Sequence, residues 1–305
     1  MRLYDVANYL ETTVKDLTNI LDDIRNYYSR FYIKKGNKNR IIYAPHDELK
    51  KIQNNILHKI IYKFRPHENC FGFVKNKSTL DNAKYHFGAK YLLCIDLKDF
   101  FDNIKADKVY PAFRYLIYNT PLRDNYISGP TAQGFKHVST ILGHLCMFNN
   151  HLIQGAPTSP SLSNVIFYPT DVELTELATQ NNVLYSRYAD DIIFSSKDEF
   201  NMKELYNDVN KILSKNNYII NKKKTKFLTN KKCLSVTGIT INEKININRK
   251  YYRKLKSEIF NLRNSTIDKN LYEKYVGKLQ WVKFVAPQKW MKIQKIFSTI
   301  SVENN

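Results

Sequence analysis

The alternation of apolar and polar positions predicts a β-hairpin at residues 183–196. Two runs of apolar, β-branched and aromatic residues flank the adjacent acids Asp190 and Asp191, so the pair lies at the tip between two strands. Asp is also common in ordinary turns, because its side chain bonds to nearby backbone. In an apolar hairpin, however, two buried like charges are unfavourable by several kcal/mol unless a cation compensates them. The hairpin therefore indicates a divalent metal ion.

The rest of the pattern predicts helices and strands that alternate in the middle of the chain, between helical ends. A continuous apolar run at residues 91–95 predicts a buried strand that ends at Asp96. Further strands are predicted at residues 27–33, 40–43 and 234–241. Further helices are predicted at residues 1–24 (one or two short helices), 47–64, 78–87, 107–118, 137–148, 203–216, 251–262 and 271–285, and a loop at residues 119–133. This order of elements favours an α+β fold.

Several helix boundaries follow from the chemistry of helix ends. Asp47 can cap the helix that follows it, and Ser78 opens a segment with the form of a capping box. Ser159 is expected as an N-cap, with Pro160 at the first helical position. Pro169 should kink that helix or divide it in two.

Composition and charge favour a polyanionic partner. The 305 residues include 48 Lys and Arg against 28 acids, a formal charge of +20, together with 22 Tyr and 17 Phe. Cations interleaved with aromatic rings suit RNA and single strands. The four cysteines form no C-x-x-C pair, which indicates reduced thiols and argues against zinc. With no signal peptide and no apolar run near 18 residues, we expect a soluble cytoplasmic protein that does not associate with membranes.

Three carboxylates come together if the strand ending in Asp96 and the hairpin tipped by Asp190 and Asp191 are neighbours in one antiparallel sheet. Oxygen ligands on rigid strand ends suit two Mg²⁺ ions, with Mn²⁺ as the alternative. One ion would lower the pKa of an attacking hydroxyl, and the other would hold a triphosphate and neutralise the leaving pyrophosphate. The pattern predicts that these three residues are catalytic.

The residues around the carboxylates resemble the sequence motifs of reverse transcriptases. The segments Asp96-Leu-Lys-Asp-Phe-Phe101, Gln154-Gly-Ala-Pro-Thr-Ser-Pro160 and Tyr188-Ala-Asp-Asp191 are similar to motifs A, B and C in order and spacing. The segment Arg40-Ile-Ile-Tyr-Ala-Pro45 resembles the fingers, and Asn221 with Lys224-Thr225 resembles motif D. The resemblance covers roughly residues 25–290.

The resemblance implies a right-hand polymerase of the α+β class, with fingers, a palm built on an antiparallel sheet with packed helices, and a helical thumb. The implied divisions are an N-terminal helical extension at 1–24, fingers at 25–90, a palm with part of the fingers at 91–235, and a thumb region at 236–305. Basic residues at 222–232 and in the C-terminal helices are expected to hold the template–primer duplex.

Two more segments narrow the resemblance to retron reverse transcriptases. Asn82-Ala-Lys-Tyr-His86 matches an N-A-x-x-H signature, and Val236-Thr237-Gly238 matches a V-T-G signature. Asn82 and His86 are four residues apart and share one helix face, which on its own is also the pattern of an ordinary helix. The resemblance implies that the five signature residues serve RNA recognition.

A retron enzyme implies a particular set of partners and products. The enzyme recognises a structured noncoding RNA from its own operon and primes on the 2′-hydroxyl of a specific guanosine. With dNTPs it copies part of that RNA into branched, RNA-linked single-stranded DNA (msDNA). Such systems are similar in being bacterial anti-phage units with an accessory effector or toxin protein. No segment for an RNase H domain follows the thumb, so the resemblance implies that a host RNase H removes the copied RNA.

Carried over residue by residue, the resemblance assigns roles around the carboxylates. Asp96 and Asp190 are the main metal ligands, Asp191 completes the cluster, and the Leu97 carbonyl is a further ligand. Phe101 stands where the family places a ring that excludes the ribose hydroxyl, although a ring at a strand end also suits the core.

The remaining implied roles concern the incoming nucleotide. Gln154 and Gly155 would lie by the templating pair, with Gly155 permitting close backbone approach. Arg40 is a candidate contact for the triphosphate and Lys224 a candidate acid for the pyrophosphate, each against the alternative of a solvated surface cation.

The chain departs from the family pattern at a few positions. Asp102-Asn103 stand where Pro-Ser is usual, and Ile153 replaces a usual Pro. None of these changes removes a catalytic group, so we expect activity. Two alternatives stay open: another bacterial reverse transcriptase of the group II intron, diversity-generating or other defence type, and a scaffold bound to RNA and DNA that restrains a toxin.

Overall fold

The N-terminal part of the protein combines short helices with a β-hairpin. The computed structural model describes residues 3–35, 38–118 and 132–303, so the predicted loop at residues 119–133 lies almost wholly outside the described residues. The first elements are α1 (Leu3–Tyr9), α2 (Val14–Asp22), β1 (Tyr28–Lys35), β2 (Lys38–Pro45) and α3 (Asp47–Lys59), with 3₁₀ turns at Ile24–Tyr27 and Ile61–Lys63. The antiparallel pairing of β1 with β2 confirms the predicted hairpin.

The middle of the chain supplies a four-stranded antiparallel sheet and its helices. The elements are α4 (Thr79–Tyr85), β3 (Tyr91–Asp96), α5 (Ala106–Tyr118), α6 (Ala132–Leu145), α7 (Ser159–Gln180), β4 (Leu184–Tyr188), β5 (Asp191–Ser196), α8 (Met202–Lys215) and β6 (Lys226–Thr229). The strand order is β4-β5-β3-β6, which places the strand ending in Asp96 next to the hairpin. The predicted carboxylate cluster required these strands to be neighbours in one antiparallel sheet, and the strand order confirms that they are.

The C-terminal part consists of small sheets and three helices. Its elements are β7 (Ser235–Val236), β8 (Ile239–Thr240), β9 (Asn246–Ile247), α9 (Arg249–Asn261), β10 (Thr266–Ile267), α10 (Lys269–Val285), α11 (Pro287–Phe297) and β11 (Ser301–Val302). Strands β7 to β9 form a three-stranded antiparallel sheet, and β10 pairs in parallel with β11. The helices predicted around residues 251–262 and 271–285 are confirmed.

The central sheet separates two hydrophobic clusters, because successive side chains of a strand point to opposite faces. On β3, Leu93 and Ile95 face a cluster formed with α1–α3 and α5–α8. Leu92 of β3 and Ile193 of β5 face a second cluster, formed with α4, the β7–β9 sheet and the C-terminal helices. The mixture of sheet and helix confirms the predicted α+β class.

Three local predictions differ from the structure. Asp47 is the first residue of α3 and His46 is its N-cap, and likewise Thr158, not Ser159, is the N-cap of α7. Pro169 does not divide α7, which runs unbroken over 22 residues. A proline removes one backbone hydrogen bond from a helix, and the buried packing of α7 offsets that loss.

The predicted strand at residues 234–241 is instead a hairpin. Thr237 (φ 48°) and Gly238 (φ 82°) have left-handed backbone conformations and form the turn between β7 and β8. Consecutive residues with positive φ are typical of a two-residue hairpin turn. No helix in the described part of the chain is long and apolar enough to cross a bilayer.

Candidate active site

The three predicted aspartates meet at one edge of the central sheet. Asp96, the last residue of β3, is the register partner of Asp191, the first residue of β5. The backbone N–H of Leu97 donates to the carbonyl of Asp190 at 3.0 Å, which fixes the hairpin turn against the end of β3. The structure therefore brings together the residues predicted as catalytic, and it places the backbone of Leu97 beside them.

The turn that carries the aspartates is tight. Tyr188 pairs with Asp191, so only Ala189 and Asp190 lie between the paired residues, and Ala189 has φ 57°. The chain at residues 69–72 runs alongside this turn: a Cβ on Gly72 would lie 2.4 Å from the Ala189 nitrogen. Glycine is thus required at position 72 because the two backbones are in contact.

The electrostatics of the cluster are those of acids without enough compensating charge. Burial, followed by the charges of Asp190 and Asp96, raises the pKa of Asp191 to about 6. Burial, with the charge of Asp96, likewise raises the pKa of Asp190, while Lys224 and Arg40 act in the opposite direction. Carboxyl groups whose pKa values are raised in this way are a favourable place for an added cation.

Lys224 supplies one cation to the cluster. Its Nζ lies 2.9 and 2.8 Å from the two oxygens of Asp96 and donates to both. This bond is possible because the Asn221 N–H donates to the Asp96 carbonyl at 2.8 Å and anchors the intervening turn. The ion pair with Asp96 raises the pKa of Lys224. The predicted acid for pyrophosphate is therefore in direct contact with a predicted metal ligand.

The chemistry of the donor set fits a divalent cation. Three carboxylates at one sheet edge are hard oxygen ligands of the kind that Mg²⁺ takes, and a cation already binds one of them. Within residues 3–35, 38–118 and 132–303, however, no group of three or more His, Cys, Asp or Glu side chains is already arranged to hold a metal ion. Both Asp96 oxygens are engaged by Lys224, so binding of an ion there requires the ammonium to move.

Strand β2 packs against the loop that carries Gln154 and Gly155. Gly155 has φ 118°, and a Cβ there would lie 2.2 Å from the Tyr43 carbonyl. The Tyr43 N–H donates to the Gln154 carbonyl at 3.1 Å. Gly155 thus permits a close approach of the backbone to strand β2, and its place beside the templating base pair stays a prediction. The charge of Arg40, on the same strand, partly opposes the rise in the pKa of Asp190, and its contact with a triphosphate stays a prediction.

Phe101 lies just beyond the end of β3, half-buried between two other rings. Its ring centroid is 5.4 Å from that of Phe100 and 6.3 Å from that of Phe73. Phe100 is buried in the core, whereas Phe73 is 41% exposed. Phe101 therefore stands between the core and the open side of the site, and its role as a sugar gate stays a prediction.

A buried ion pair behind the turn was not predicted from the sequence. Arg187 and Asp171 are both 0% exposed and form a bidentate pair, with Nε–Oδ1 and Nη2–Oδ2 distances of 2.8 and 2.7 Å. Arg187 also donates to Asn164 at 3.1 Å and to the Ala189 carbonyl at 3.3 Å. A charged residue in an apolar hairpin was the available signal, because such a residue needs a partner.

Asn82 and His86 are buried against the central sheet. His86 bonds Ser195 of β5 through Nδ1 at 2.7 Å and Ser186 of β4 through Nε2 at 2.6 Å, and Ser186 donates to Asn82 at 2.6 Å. Burial lowers the pKa of His86 to about 3, so the ring is neutral. Both side chains are 0% exposed in this structure. Their role in RNA recognition stays a prediction.

The V-T-G segment packs on the helix that carries Asn82 and His86. The Thr237 hydroxyl donates to the Thr79 carbonyl in the first turn of α4 at 2.9 Å. Val236 belongs to the same hydrophobic cluster as Ala83 of α4. The two signature segments therefore form one unit between the central sheet and the C-terminal helices, a proximity that their separation in sequence did not reveal.

Comparison with known proteins identifies similar sequences. The family model described as reverse transcriptase (RNA-dependent DNA polymerase) matches residues 33–241. The retron Ec86 reverse transcriptase of Escherichia coli is 32% identical over 265 residues, covering 85% of this chain and 78% of that protein. The retron Mx65 reverse transcriptase of Myxococcus xanthus is 27% identical, covering 87% of this chain and 62% of that protein.

Solved structures share the fold at low sequence identity. A telomerase from Candida albicans, solved with a fragment of telomeric RNA, superposes with a TM-score of 0.51 at 14% identity. That match covers 88% of this chain but only 56% of the telomerase chain. The likeness supports the right-hand polymerase architecture and carries no further conclusion about activity.

Proposed function

This chain belongs to the reverse transcriptase family as an RNA-directed DNA polymerase of the retron type, and from that premise we propose that it makes branched DNA on a structured RNA. In the proposed reaction the enzyme starts on the 2′-hydroxyl of a guanosine in its cognate noncoding RNA. It copies part of that RNA into single-stranded msDNA that stays linked to the RNA. The observation that carries the proposal is the meeting of Asp96, Asp190 and Asp191 at one sheet edge.

Metal-ion catalysis is the proposed chemistry. Asp96, Asp190 and Asp191 would hold Mg²⁺, with the Leu97 carbonyl as a further ligand. When bound, divalent ions supply positive charge that favours deprotonation of the attacking hydroxyl and stabilises the departing pyrophosphate. The support for this assignment is electrostatic: the pKa values of Asp190 and Asp191 are raised, so added positive charge there is favourable.

The neighbouring side chains have proposed roles in nucleotide binding. Arg40, whose charge already acts on Asp190, would contact the triphosphate. Lys224 would exchange its ion pair with Asp96 for a contact with the pyrophosphate and donate a proton to it. Phe101 would pack under the sugar and exclude a ribose 2′-hydroxyl by steric overlap. Gln154 would lie beside the templating base pair, on the backbone that Gly155 holds against β2.

The proposed biological setting is an anti-phage system in a bacterial cytoplasm. The partners would be the cognate RNA, its DNA product, dNTPs, an effector or toxin protein and a host RNase H. The formal charge of +20 supports a large polyanionic partner. The experiment that tests this setting is phage challenge of cells carrying the gene with its neighbouring RNA and effector genes.

Purified protein tests the chemistry. The protein with its upstream RNA, Mg²⁺ and dNTPs should yield DNA that remains joined to RNA after protease treatment. Asp190→Asn should reduce synthesis by roughly 10²-fold or more, as expected for losing one preorganised electrostatic group. Asp208→Asn, which removes a surface acid paired with Lys211, is the matched control and should synthesise normally. DNA that is never joined to RNA would rule out the branched product.

A test of the Asp190→Asn variant in cells separates the scaffold hypothesis from the enzymatic one. If the Asp190→Asn protein still restrains its effector in cells although it makes no DNA, scaffolding rather than synthesis is the required activity.

A second substitution, Phe101→Ala, should relax discrimination against ribonucleotides in primer extension. Unchanged discrimination would remove Phe101 from the proposed sugar gate.

A further inference from the structure

An open cleft lies on the side of the molecule where the segment after α3 crosses the middle of α7. Its volume is about 550 Å³. The residues that line it come from the 3₁₀ turn and the extended segment that follows, from the last turns of α5, and from α7. None of them belongs to the carboxylate cluster or its nucleotide contacts. The cleft is therefore a feature that the polymerase reaction leaves unexplained.

Aromatic rings form the wall of this cleft. The Phe64 centroid lies 5.4 Å from that of Tyr168 and 6.1 Å from that of Tyr115, both edge to face. The His67 and Tyr168 centroids are 5.6 Å apart. Tyr115 is 55% exposed and Tyr168 is 37% exposed, so large flat surfaces are open to solvent. Surfaces of this kind suit the stacking of an unpaired base.

Basic side chains stand at the same cleft. Lys63 and Arg65 are exposed, and Glu68 is the one acid among the residues that line the cleft. The Nδ1 atom of His67 accepts from the Asn69 N–H at 3.2 Å, so the neutral ring carries its proton on Nε2 as a donor. Cations next to open aromatic faces match the two parts of a nucleotide, the phosphate and the base.

The segment that follows the cleft-lining residues 63–68 is hydrogen-bonded to strand β4 of the central sheet. The Asn69 carbonyl accepts from the Arg187 N–H at 2.9 Å, and the Phe71 N–H donates to the Arg187 carbonyl at 2.8 Å. Lys77 Nζ donates to the carbonyls of Glu68 and Cys70. These hydrogen bonds anchor the chain directly after His67, and an anchored site loses less entropy when it orders a flexible strand.

We propose that this cleft binds an unpaired nucleotide of single-stranded RNA, outside the catalytic site. The base stacks against Tyr168 and Tyr115, and a phosphate contacts Lys63 and Arg65. The site would hold an unpaired stretch of the structured RNA while another part of that RNA is copied, so the inference rests on the proposed function. Arginine and aromatic rings recognise every base by its face, and the site therefore tolerates many sequences.

The test measures RNA binding with the catalytic groove already filled. Protein saturated with an unlabelled RNA–DNA hybrid is titrated with a labelled oligouridylate of about 12 nucleotides, within the usual span of single-strand sites. Tyr168→Ala and Arg65→Ala should each weaken the remaining binding by about fivefold or more. The conservative variants Tyr168→Phe and Arg65→Lys should restore most of it, because the ring or the charge is kept.

A matched control and a location readout make the result specific. Tyr62→Ala removes a ring that is also 55% exposed but lies outside the cleft, and it should bind like the unaltered protein. An oligouridylate that carries 5-iodouridine should crosslink to peptides containing Tyr115 or Tyr168. The proposal is overturned if the saturated protein binds no oligouridylate, if Tyr168→Ala binds normally, or if Tyr62→Ala weakens binding equally.

Primer extension on a simple poly(rA)–oligo(dT) substrate distinguishes this proposal from the proposed function. Tyr168→Ala and Arg65→Ala should extend that primer at the normal rate, because neither residue belongs to the carboxylate cluster or to its proposed nucleotide contacts. If the unaltered protein extends no primer, the polymerase assignment fails. If extension is normal and the cleft variants bind RNA normally, only the cleft proposal fails.

Discussion

Two polar regions lie on the same β4–β5 hairpin, and they are constructed in opposite ways. Behind the turn, Arg187 is fully buried and its charge is matched by Asp171 through two short hydrogen bonds. At the tip, Asp190 and Asp191 share one edge with Asp96, and the pKa values of both are raised. One region contains a balanced charge pair, whereas the other contains an excess of negative charge.

The difference separates structural polarity from functional polarity. A buried ion pair with satisfied hydrogen bonds fixes the positions of the elements that carry it, here β4 and α7. Carboxylates without enough counter-charge destabilise the fold and become favourable only when a cation arrives. The buried Arg187 also stabilises the turn that carries the aspartates, because it donates a hydrogen bond to the Ala189 carbonyl in that turn.

We expect the largest effect on stability when one member of the buried Arg187–Asp171 pair is removed. Arg187→Met leaves the Asp171 carboxylate buried without a partner, and we expect a loss of about 3–5 kcal/mol in the free energy of unfolding. Urea denaturation followed by circular dichroism measures this loss. The double variant Arg187→Met/Asp171→Leu should recover much of the stability, because it leaves no uncompensated charge. A single variant as stable as the unaltered protein would show that the pair is unimportant.

Ser186→Ala tests the second buried network with a smaller effect. It removes the partner of His86 Nε2 and of the Asn82 carbonyl oxygen, which leaves buried polar atoms unpaired. We expect a loss of about 1–3 kcal/mol in the free energy of unfolding. Primer extension by the folded fraction should be preserved, since the network does not touch the carboxylates. Lost extension at unchanged stability would assign the network to catalysis.

The tip should respond to pH in a way that the buried pair does not. The pKa of Asp191 is raised to about 6 in the folded state, above its usual value of 3.8. The charged carboxylate therefore destabilises the fold above about pH 6, and this effect disappears as the pH falls through 6 towards 4.

The matching measurement compares Asp191→Asn with the unaltered protein in the presence of a chelator. At about pH 7.5 the variant should have the higher melting temperature, and at about pH 5 the difference should shrink. By surface area Asp191 is exposed at the sheet edge, so solvent screens its charge and the difference should be smaller than for a fully buried acid. A difference that grows on acidification would mean that the folded-state pKa of Asp191 is lowered.

Lys224→Met should have the smallest effect on stability. The Lys224 side chain is 60% exposed, and its ion pair with Asp96 is open to salt. We expect a change below about 1 kcal/mol in the free energy of unfolding, which becomes smaller still at high salt. A loss comparable to that of Arg187→Met would mean that the lysine is structural. Slower primer extension at unchanged stability would support its proposed role at the pyrophosphate.

Much of the site was predictable because its signals are local. The alternation of apolar residues around Asp190 and Asp191 specifies a hairpin, and the apolar run before Asp96 specifies a buried strand. The capping box of Ser78 and Asp81 is present as predicted, because both partners lie within one helical turn. Motif spacing then indicated the polymerase class, which the comparisons support.

The sequence could not assign partners to residues that are far apart along the chain. Lys224 is 128 positions from Asp96, and Ser186 is 100 positions from His86. Only the strand order β4-β5-β3-β6 brings such residues together. The same limit explains why the burial of His86 against the central sheet was not predicted.

Local sequence patterns were sufficient to predict the secondary-structure elements of the site and their acidic residues: a strand that ends in one aspartate, and a hairpin with two more at its tip. Periodicity and turn chemistry act over a few residues, so they can be read along the chain. Which charges are compensated follows only from the fold, because compensation depends on distance in space. The fold pairs Arg187 with Asp171, and it leaves Asp190 and Asp191 with raised pKa values that favour binding of a cation.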